Sequence, residues 1–395
     1  MRKSGAVSLL ASLSILAGCA GNQSGSTPVV SSSTQSTLAS QSPLAYVFTP
    51  DGNQYVANAG PNTTEFSLAP GGRLQPVATG LPFLPLAGTT SGLVGSPAGN
   101  TSFQSYAVQA DGSLVAEGSP VPSSNYSASA STGADFYAVS DTAIYGFADG
   151  NSGLSALPPM QKPVPLTCVP GNIDGAQCVY DAWMTIGDTS AYLLEEFQYF
   201  GPPLYQLTSF SRQGAQLVSQ TLVPVGLTTG LIAITPNGKF IYSLDLASSR
   251  IYFYNVKATN YPEYNVLSNG NQLQASGYNQ FMVSTDGAYL VAAATPTPAA
   301  ASVIHMFQIN SSSGVLTEVP GSPFSTGQAG FITMSFDPTG QFLLVASCTR
   351  NSAGYCTTGN LAAMSYDSSS GALSVTSDVA DGTYPYSVTA APVSQ

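Results

Sequence analysis

Residues Gly330 to Thr376 read GFITMSFDPTGQFLLVASCTRNSAGYCTTGNLAAMSYDSSSGALSVT, and this stretch decides the fold. It contains four runs of aromatic, β-branched or alternating apolar residues, each bounded by Gly, Pro, Asp or Ser. This pattern is typical of antiparallel strands joined by tight turns. The predicted strands are Phe331 to Phe336, Phe342 to Ser347, Leu361 to Tyr366 and Gly371 to Thr376. The stretch therefore predicts a four-stranded antiparallel sheet.

The same unit recurs along the chain, marked by a Gly with a Leu close behind it where the last strand of each unit begins. The pairs are Gly72 and Leu74, Gly112 and Leu114, Gly153 and Leu154, Gly214 and Leu217, Gly270 and Leu273, Gly314 and Leu316, and Gly371 and Leu373. The Leu positions are 40, 40, 63, 56, 43 and 57 residues apart, which is the range of a propeller blade with insertions. The repeat predicts an all-β protein, a seven-bladed β-propeller with four antiparallel strands per blade. A β-sandwich or a β-helix is the alternative.

Two segments compete for one place in this ring. Tyr386 to Ala390 and Leu44 to Thr49 both resemble an innermost strand, which gives eight candidates for seven places. We expect the C-terminal segment to join the first unit and close the ring. Without that strand, side-chain packing alone would hold the first and last blades together.

The N-terminus has the features of a targeting signal. Arg2 and Lys3 form a basic region, and the apolar stretch from Ala6 to Ala17 is too short to span a bilayer as a helix. It ends in Leu-Ala-Gly-Cys19, which resembles the lipobox of bacterial lipoproteins, in which the Cys carries the lipid. An ordinary signal peptide with a chance Cys is the alternative. We therefore expect a lipoprotein signal at 1–19 and a mature chain bound to the lipid bilayer through acylated Cys19.

The rest of the chain divides into a tether and one domain. Residues 20–42 are rich in Ser, Thr, Gln and Gly and predict a flexible tether with a span of about 25 Å. Residues 43–395 suffice for seven units and predict a single propeller domain. The expected location is the bacterial cell envelope, lipid-anchored, in the outer membrane or facing the periplasm or the exterior.

Charge excludes one class of partner. The net charge is −11, and removal of Arg2 and Lys3 with the signal makes it about −13. The remaining basic residues are scattered, whereas nucleic-acid binding needs a clustered basic surface. We expect no nucleic acid partner, and we expect a monomer.

The cysteines after Cys19 form two pairs that are close in sequence. An exported protein favours disulfides, and the sequence lacks the spacing of a metal site. We expect the bridges Cys168–Cys178 and Cys348–Cys356, no metal and no cofactor.

Residues with catalytic potential are few. His305, the one histidine, lies on an alternating strand and is interpreted as a packed or edge residue. Glu195 and Glu196 are adjacent, so on a strand they point to opposite faces; we expect a solvated edge or a single hydrogen-bonded role. Trp183 is predicted to pack between blades from an innermost strand. No nucleophile elbow, P-loop or dinucleotide motif occurs in the sequence, so no catalytic residue is assigned.

Three segments resemble the seven-bladed propellers of the 6-phosphogluconolactonase-like lactonase family. They are Phe-Asp-Pro-Thr-Gly-Gln-Phe at 336–342, Ile-Thr-Pro-Asn-Gly-Lys-Phe-Ile-Tyr at 234–242, and Tyr-Val-Ala-Asn-Ala-Gly at 55–60. The resemblance covers residues 44–390. It implies sugar-lactone hydrolysis or lactone-forming isomerisation by Arg, Glu and His at the channel mouth.

The segments just before the innermost strands are where such residues would fall, and they contain neither Arg nor His. The candidate ligand-binding residues there are Asn125, Tyr126, Asp181, Tyr278, Asn279, Gln328 and Tyr384. An anionic substrate needs cationic donors, so this set suits a neutral polar ligand such as a glycan. The sequence favours a membrane-tethered binding or interaction propeller, whose partner is a neutral glycan or another envelope protein. A lactonase-like hydrolase acting on a sugar lactone at the channel mouth is the alternative.

Overall fold

The computed structural model describes residues 42–51, 62–97, 102–122, 128–140, 143–150, 152–162, 179–198, 204–223, 231–245, 250–255, 263–266, 278–295, 301–350, 356–381, 385 and 387–394. The regular elements of these residues are 30 β-strands, which form seven antiparallel sheets. We number the sheets from the N-terminus and use these numbers below.

The first four sheets contain the strands up to residue 223 and the C-terminal strand. Sheet 1 contains β1 (Ala45–Pro50), β2 (Thr63–Leu68), β3 (Leu74–Leu81) and β30 (Thr389–Pro392). Sheet 2 contains β4 (Phe83–Gly88), β5 (Leu93–Pro97), β6 (Ser102–Val108) and β7 (Leu114–Pro122). Sheet 3 contains β8 (Ala128–Thr132), β9 (Asp135–Val139), β10 (Ala143–Gly150), β11 (Gly153–Ala156) and β12 (Met160–Gln161). Sheet 4 contains β13 (Val179–Ile186), β14 (Ser190–Gln198), β15 (Leu204–Gln213) and β16 (Gln216–Val223).

The last three sheets follow in the same order. Sheet 5 contains β17 (Leu231–Ile234), β18 (Phe240–Asp245), β19 (Arg250–Asn255) and β20 (Glu263–Val266). Sheet 6 contains β21 (Tyr278–Val283), β22 (Tyr289–Ala294), β23 (Ala301–Ile309), β24 (Leu316–Glu318) and β25 (Phe324–Ala329). Sheet 7 contains β26 (Phe331–Phe336), β27 (Phe342–Arg350), β28 (Cys356–Tyr366) and β29 (Leu373–Ala380).

The sheets are arranged around a common centre. One strand of each sheet contacts the corresponding strand of the next, in the order β30, β4, β8, β13, β17, β21, β26 and back to β30. We call these the inner strands. The chain is therefore an all-β propeller with antiparallel strands, and this prediction is confirmed.

The hydrophobic core lies between neighbouring sheets. Between sheets 2 and 3, Phe103, Phe136 and Phe147 pack edge to face or tilted, with ring centroids 5.3–5.8 Å apart. Similar clusters join sheets 1 and 2, 3 and 4, 5 and 6, 6 and 7, and 7 and 1. A strand in the middle of a sheet is therefore buried on both faces, as all six residues of β1 and of β22 show.

The strands predicted between residues 330 and 376 are all present. The first matches in both bounds, and the next two are longer than predicted because the hairpin of β27 and β28 extends to Arg350 and Cys356. The last begins at Leu373 rather than Gly371, because Gly371 lies in the turn with a φ of 73°.

The C-terminal strand closes the ring, as predicted. β30 pairs antiparallel with β1, with Ala45 opposite Pro392 and Phe48 opposite Thr389. Of the two candidates for the inner position, β30 occupies it and β1, which contains most of Leu44 to Thr49, lies second. The main chain continues past β30, where Ser394 donates its N–H to the carbonyl of Val108 in sheet 2.

In the described residues, the repeated glycine lies in the turn before the outermost strand or, at Gly153, is the first residue of that strand. Glycines at these turns have positive φ in six sheets, at Gly72, Gly112, Gly153, Gly214, Gly314 and Gly371. Gly270 of sheet 5 lies outside the described residues. In four turns the glycine lies against an aromatic ring from the second strand of the preceding sheet: Gly72 against Phe342, Gly112 against Tyr46, Gly314 against Phe240, and Gly371 against Tyr289. The repeat thus marks contacts between sheets as well as turns.

Candidate functional site

The two faces of the propeller differ in their connections. We call the face where the inner strands begin the upper face, and the opposite one the lower face. The turns of the lower face are short and use their own polar groups. At Asp337, one carboxylate oxygen accepts from Thr339 Oγ1 at 2.5 Å and the other accepts from the N–H of Phe342 at 2.7 Å. Hydrogen bonds from Ser370 and Ser369 lower the pKa of Asp367 to about 2. These carboxylates serve the turns, so we place the candidate site on the upper face.

The inner strands form the wall of the central channel and carry almost no charge. Their sequences are FLPLAG in β4, ASAST in β8, VYDAWMTI in β13, LIAI in β17, YNQFMV in β21, FITMSF in β26 and TAAP in β30. Asp181 is the one charged residue among these described strands, and they contain no Arg, Lys or His. The channel wall therefore offers hydroxyl, amide and apolar groups.

One polar group of the wall holds two inner strands together. Gln280 of β21 donates from Nε2 to the carbonyl of Met334 in β26 at 3.0 Å, and its Oε1 accepts from the N–H of Met334. This side chain therefore replaces a pair of main-chain hydrogen bonds between sheets 6 and 7.

The predicted ligand-binding residues fall into two groups. Tyr278 and Asn279 are the first two residues of β21, and Asp181 is the third residue of β13. All three therefore lie within inner strands, near their upper ends, rather than before them as predicted. The strands begin earlier because Tyr278 pairs with Ala294 and Val179 pairs with Gln198. Asn125, Tyr126 and Tyr384 lie outside the described residues.

Gln328 is misplaced by the sequence prediction. It lies in β25, which pairs with β23, so the segment before β26 is a strand where the sequence predicts a loop at the channel mouth. Its side chain is buried and donates from Nε2 to Asp378 Oδ1 at 2.9 Å, which joins sheet 6 to sheet 7. Gln328 is therefore a packing residue between sheets.

His305 lies away from the channel wall. It is on β23, the third strand of sheet 6, where Nδ1 is 2.9 Å from Glu318 Oε1 on the outermost strand. Its ring stacks on Phe307, with centroids 6.2 Å apart. The interpretation of His305 as a packed or edge histidine is confirmed, and the imidazole is too far out in the sheet to serve the channel.

Of the two roles expected for Glu195, a solvated edge or a hydrogen-bonded role, the solvated edge is wrong. Glu195 lies on β14 with 0% exposure, and its Oε1 is 2.8 Å from Nζ of Lys162, whose side chain is 1% exposed. Lys162 follows β12 of sheet 3, so the ion pair joins sheets 3 and 4. The side chains of Glu196 and Trp183 lie outside the described part, although Trp183 is on an inner strand as predicted.

A second ion pair also joins sheets 3 and 4, nearer the lower face. Arg212 donates from Nη2 to Asp135 Oδ2 at 2.5 Å, from Nε to the hydroxyl of Tyr137 at 3.1 Å, and to the main-chain oxygen of Gly187. Sequence analysis missed both pairs, because nothing in the local pattern connects residues of neighbouring sheets.

The cysteines are described only in part. Cys348 is buried in β27. The main chain of Cys356 lies opposite Arg350 on the neighbouring strand. Cys168 and Cys178 lie outside the described residues, as do residues 1–41, so both pairings and the lipid attachment stay predictions. Within the described ranges, no three His, Cys, Asp or Glu residues are grouped to hold a metal ion, and no helix has the length and hydropathy to span a membrane.

Comparison with known proteins confirms the fold. No protein-family model matches the chain, and no curated protein matches it. Among solved structures, a candidate 6-phosphogluconolactonase from Bacteroides fragilis has a TM-score of 0.56 at 15% identity, over 90% of this chain and 99% of that one. The periplasmic gluconolactonase of Pseudomonas aeruginosa has a TM-score of 0.54 at 14% identity, over 88% of this chain and 99% of that one. A protein from Lactobacillus plantarum has a TM-score of 0.53 at 14% identity. The fold is thus that of lactonase-like propellers.

Proposed function

We propose that the protein is a membrane-tethered, extracytoplasmic binding propeller that takes a neutral polar ligand at the upper end of its channel. The observation that carries this proposal is the charge of the channel wall, because the inner strands, as far as the structure describes them, hold a single charged residue, Asp181. A ring of hydroxyl, amide and aromatic groups hydrogen-bonds and stacks on uncharged sugars, whereas binding of a phosphorylated or anionic sugar needs cationic donors.

Three of the described basic side chains support a neutral ligand, because their contacts are made elsewhere. Lys162 is buried against Glu195, Arg212 bonds Asp135, and Lys239 donates to the main-chain oxygen of Ser311. The contacts of Lys162 and Arg212 both join sheet 3 to sheet 4, and the contact of Lys239 joins sheet 5 to sheet 6. None of the three is on an inner strand, so none supplies a positive charge to the wall.

The residues proposed to touch the ligand are those at the upper ends of β13 and β21. Tyr278 and Asn279 would stack on the ligand and hydrogen-bond to it, and Asp181 would accept hydrogen bonds from sugar hydroxyl groups. Asn125, Tyr126 and Tyr384 complete the proposed set. If the partner is an envelope protein, the loops at Cys168–Cys178 and Cys348–Cys356 are the better contact candidates.

A binding and turnover screen tests the proposal. The domain starting at residue 43 is titrated with neutral glycans and with sugar lactones, and binding and hydrolysis are read in parallel. We expect saturable glycan binding without turnover. Replacement Tyr278→Ala should weaken it about 10-fold, the loss expected for one aromatic contact.

His305→Gln is the matched control, because His305 lies on the third strand of sheet 6 and should leave binding unchanged. Lactone hydrolysis that is lost in Asp181→Asn would contradict the proposal and favour the hydrolase instead. Equal binding by Tyr278→Ala and the unaltered protein would remove the upper channel as the site.

We also propose lipid attachment at Cys19, a location in the bacterial cell envelope, and the disulfides Cys168–Cys178 and Cys348–Cys356. The lipobox supports the first, and the neighbouring strands of Cys348 and Cys356 support the second of the bridges. Mass spectrometry of unreduced peptides from the native protein tests both. It should show acylated Cys19 and the two local bridges, and an unmodified N-terminus or a bridge between the pairs would contradict them.

The blade count belongs to the same proposal. We infer seven blades, one for each antiparallel sheet of the described residues, and the contacts between successive inner strands support this count. Electron-microscopy projections down the channel should show seven lobes, and six lobes would contradict the inference.

A further inference from the structure

Glu65 is a buried carboxyl group that the channel site does not use. It lies on β2, opposite Phe48 of β1 and Ala78 of β3, and 3% of its surface is exposed. Its Oε1 is buried and has no hydrogen-bond partner, and no salt bridge reaches Glu65 within the described part of the chain. Ionisation would leave Oε1 charged without water and without a donor, which is costly.

The group faces the turn 109–113 of sheet 2. A Cβ placed on Gly112 would lie 2.9 Å from Glu65 Oε1, 2.8 Å from the ring of Tyr46 and 3.1 Å from Val77. The hydroxyl of Tyr46 donates to the carbonyl of Ala110 in the same turn at 2.9 Å. Glu65 thus lies under the contact between sheets 1 and 2, and the glycine leaves just enough room for it.

The titratable groups around Glu65 are Asp111 in the facing turn and Tyr46 on β1, whereas β3 contributes the apolar Val77. Asp111 is held ionised, because hydrogen bonds from Ser113 lower the pKa of its carboxyl group. The fixed negative charge of Asp111 therefore opposes a second negative charge on Glu65. A neutral Glu65 removes this repulsion.

We propose that Glu65 is a proton-dependent latch between sheets 1 and 2, in which the neutral carboxyl group seats the turn 109–113 on sheet 1 and the ionised carboxylate loosens it. The latch matters because sheet 1 is the sheet that β30 closes and the sheet to which the N-terminal segment leads. A weaker contact between sheets 1 and 2 therefore affects the closure of the ring.

The direction of the effect follows from the environment of the group. Burial, and then the charge of Asp111, raises the pKa of Glu65 to about 7 from an ordinary value near 4.5. The folded state therefore binds the proton more tightly than the unfolded state between these two values. Stability from this group is complete below about pH 4.5, falls as the pH rises towards 7, and is lost above it. The linked change in the unfolding equilibrium constant is on the order of 100-fold.

The experiment compares unfolding of the domain starting at residue 43 with that of Glu65→Gln between pH 5 and pH 8.5. The unaltered protein should lose stability as the pH rises, and Glu65→Gln, which keeps the shape and cannot ionise, should lose most of this dependence. Hydrogen exchange of the turn 109–113, corrected for the intrinsic effect of pH, should speed up above pH 7 in the unaltered protein only.

Two further variants keep the proposal falsifiable. Asp111→Asn should lower the midpoint of the transition, because one of the two causes of the shift is removed. Asp367→Asn alters a carboxylate of the corresponding turn in sheet 7 that stays ionised over this range, so it should keep the full pH dependence. Direct NMR titration of Glu65 in the unaltered protein covers the case in which Glu65→Gln fails to fold. A midpoint near 4.5, an unchanged pH dependence in Glu65→Gln, or an unchanged midpoint in Asp111→Asn would overturn the latch.

Discussion

A glycine before an outermost strand has to satisfy two conditions in this protein. Gly314 has a φ of 77°, a region that residues with a Cβ rarely adopt. A Cβ there would also lie 2.6 Å from Cδ1 of Phe240 in the preceding sheet. The carbonyl of the same residue accepts from the hydroxyl of Tyr242 at 2.8 Å. The turn is thus both a hairpin of sheet 6 and the surface on which sheet 5 packs.

These two conditions can be separated by substitution. Gly314→Ala should destabilise the protein by about 2–4 kcal/mol, because the strain of positive φ adds to a steric overlap with Phe240. Gly214→Ala is the control, since Gly214 has a φ of 58° but no atom lies within 4 Å of an added Cβ. It should cost about 1–2 kcal/mol. Chemical denaturation measures both, and equal losses would show that the contact with Phe240 has no part in the effect.

A buried ion pair connects sheets 3 and 4. Lys162 and Glu195 are both nearly inaccessible to water, and each compensates the desolvation of the other. Pairs of this kind add little net stability. They disfavour packing of the sheet against a different sheet, because such packing would leave a buried charge unpaired. We infer that the pair favours the packing of sheet 3 against sheet 4 over other arrangements of the sheets.

Strands differ according to their position in a sheet. β22 is buried along its whole length and reads YLVAAA, whereas the outermost β29 is largely exposed and reads LSVTSDVA. Middle strands have a neighbouring sheet on each face, so they are mainly apolar, and buried carboxyl groups such as Glu65 and Glu195 are exceptions. Outermost strands face solvent, and the single exposed valines at Val77, Val115, Val218 and Val375 lie on such strands.

β30 is expected to have a large effect on stability. It forms the inner edge of sheet 1, and Ala391 packs with Phe48, Phe83 and Val108 between sheets 1 and 2. Deletion of residues 384–395 should lower the melting temperature by many degrees, on the order of 10 °C, because sheet 1 loses its inner strand. Calorimetry measures the change.

The point variant Ser394→Ala is the control for this deletion. It removes the side-chain bond from the N–H of Val108 but leaves the pairing of β30 with β1 intact. We expect only a small fall in melting temperature. If the deletion and the point variant melt together, β30 does not close the ring.

At the scale of the whole molecule, side-chain hydrogen bonds of the described residues connect neighbouring sheets. Tyrosine hydroxyls of sheets 1, 3 and 5 reach the outer turns of the following sheets, at Ala110, Ala215 and Gly314. The carboxylates of Asp337 and Asp367 on the lower face are used within their own turns. Tyr278, Asn279 and Asp181 lie at the upper ends of inner strands, which is why the proposed function is placed there.

More of the fold than of the candidate site could be predicted from the sequence. The strands from Phe331 to Phe336 and from Phe342 onward follow from alternation and turn residues, which are local properties of the chain. The site prediction depended on where each strand begins, and this was wrong for Tyr278, Asp181 and Gln328. Whether a strand begins earlier, or whether an additional strand such as β25 forms, depends on the segment with which it pairs. The local sequence pattern does not reveal that segment.

The sequence by itself determined the strand repeat, the glycine turns and the closing strand, because each depends on residues close together in the chain or on the number of places in the ring. Only the tertiary structure decided which side chains of neighbouring sheets contact each other. Lys162 with Glu195, Gln280 with Met334, and Glu65 with the turn 109–113 are brought together by the packing of one sheet on the next. Their energies depend on burial and on distances across that packing, which the order of residues along one strand does not contain.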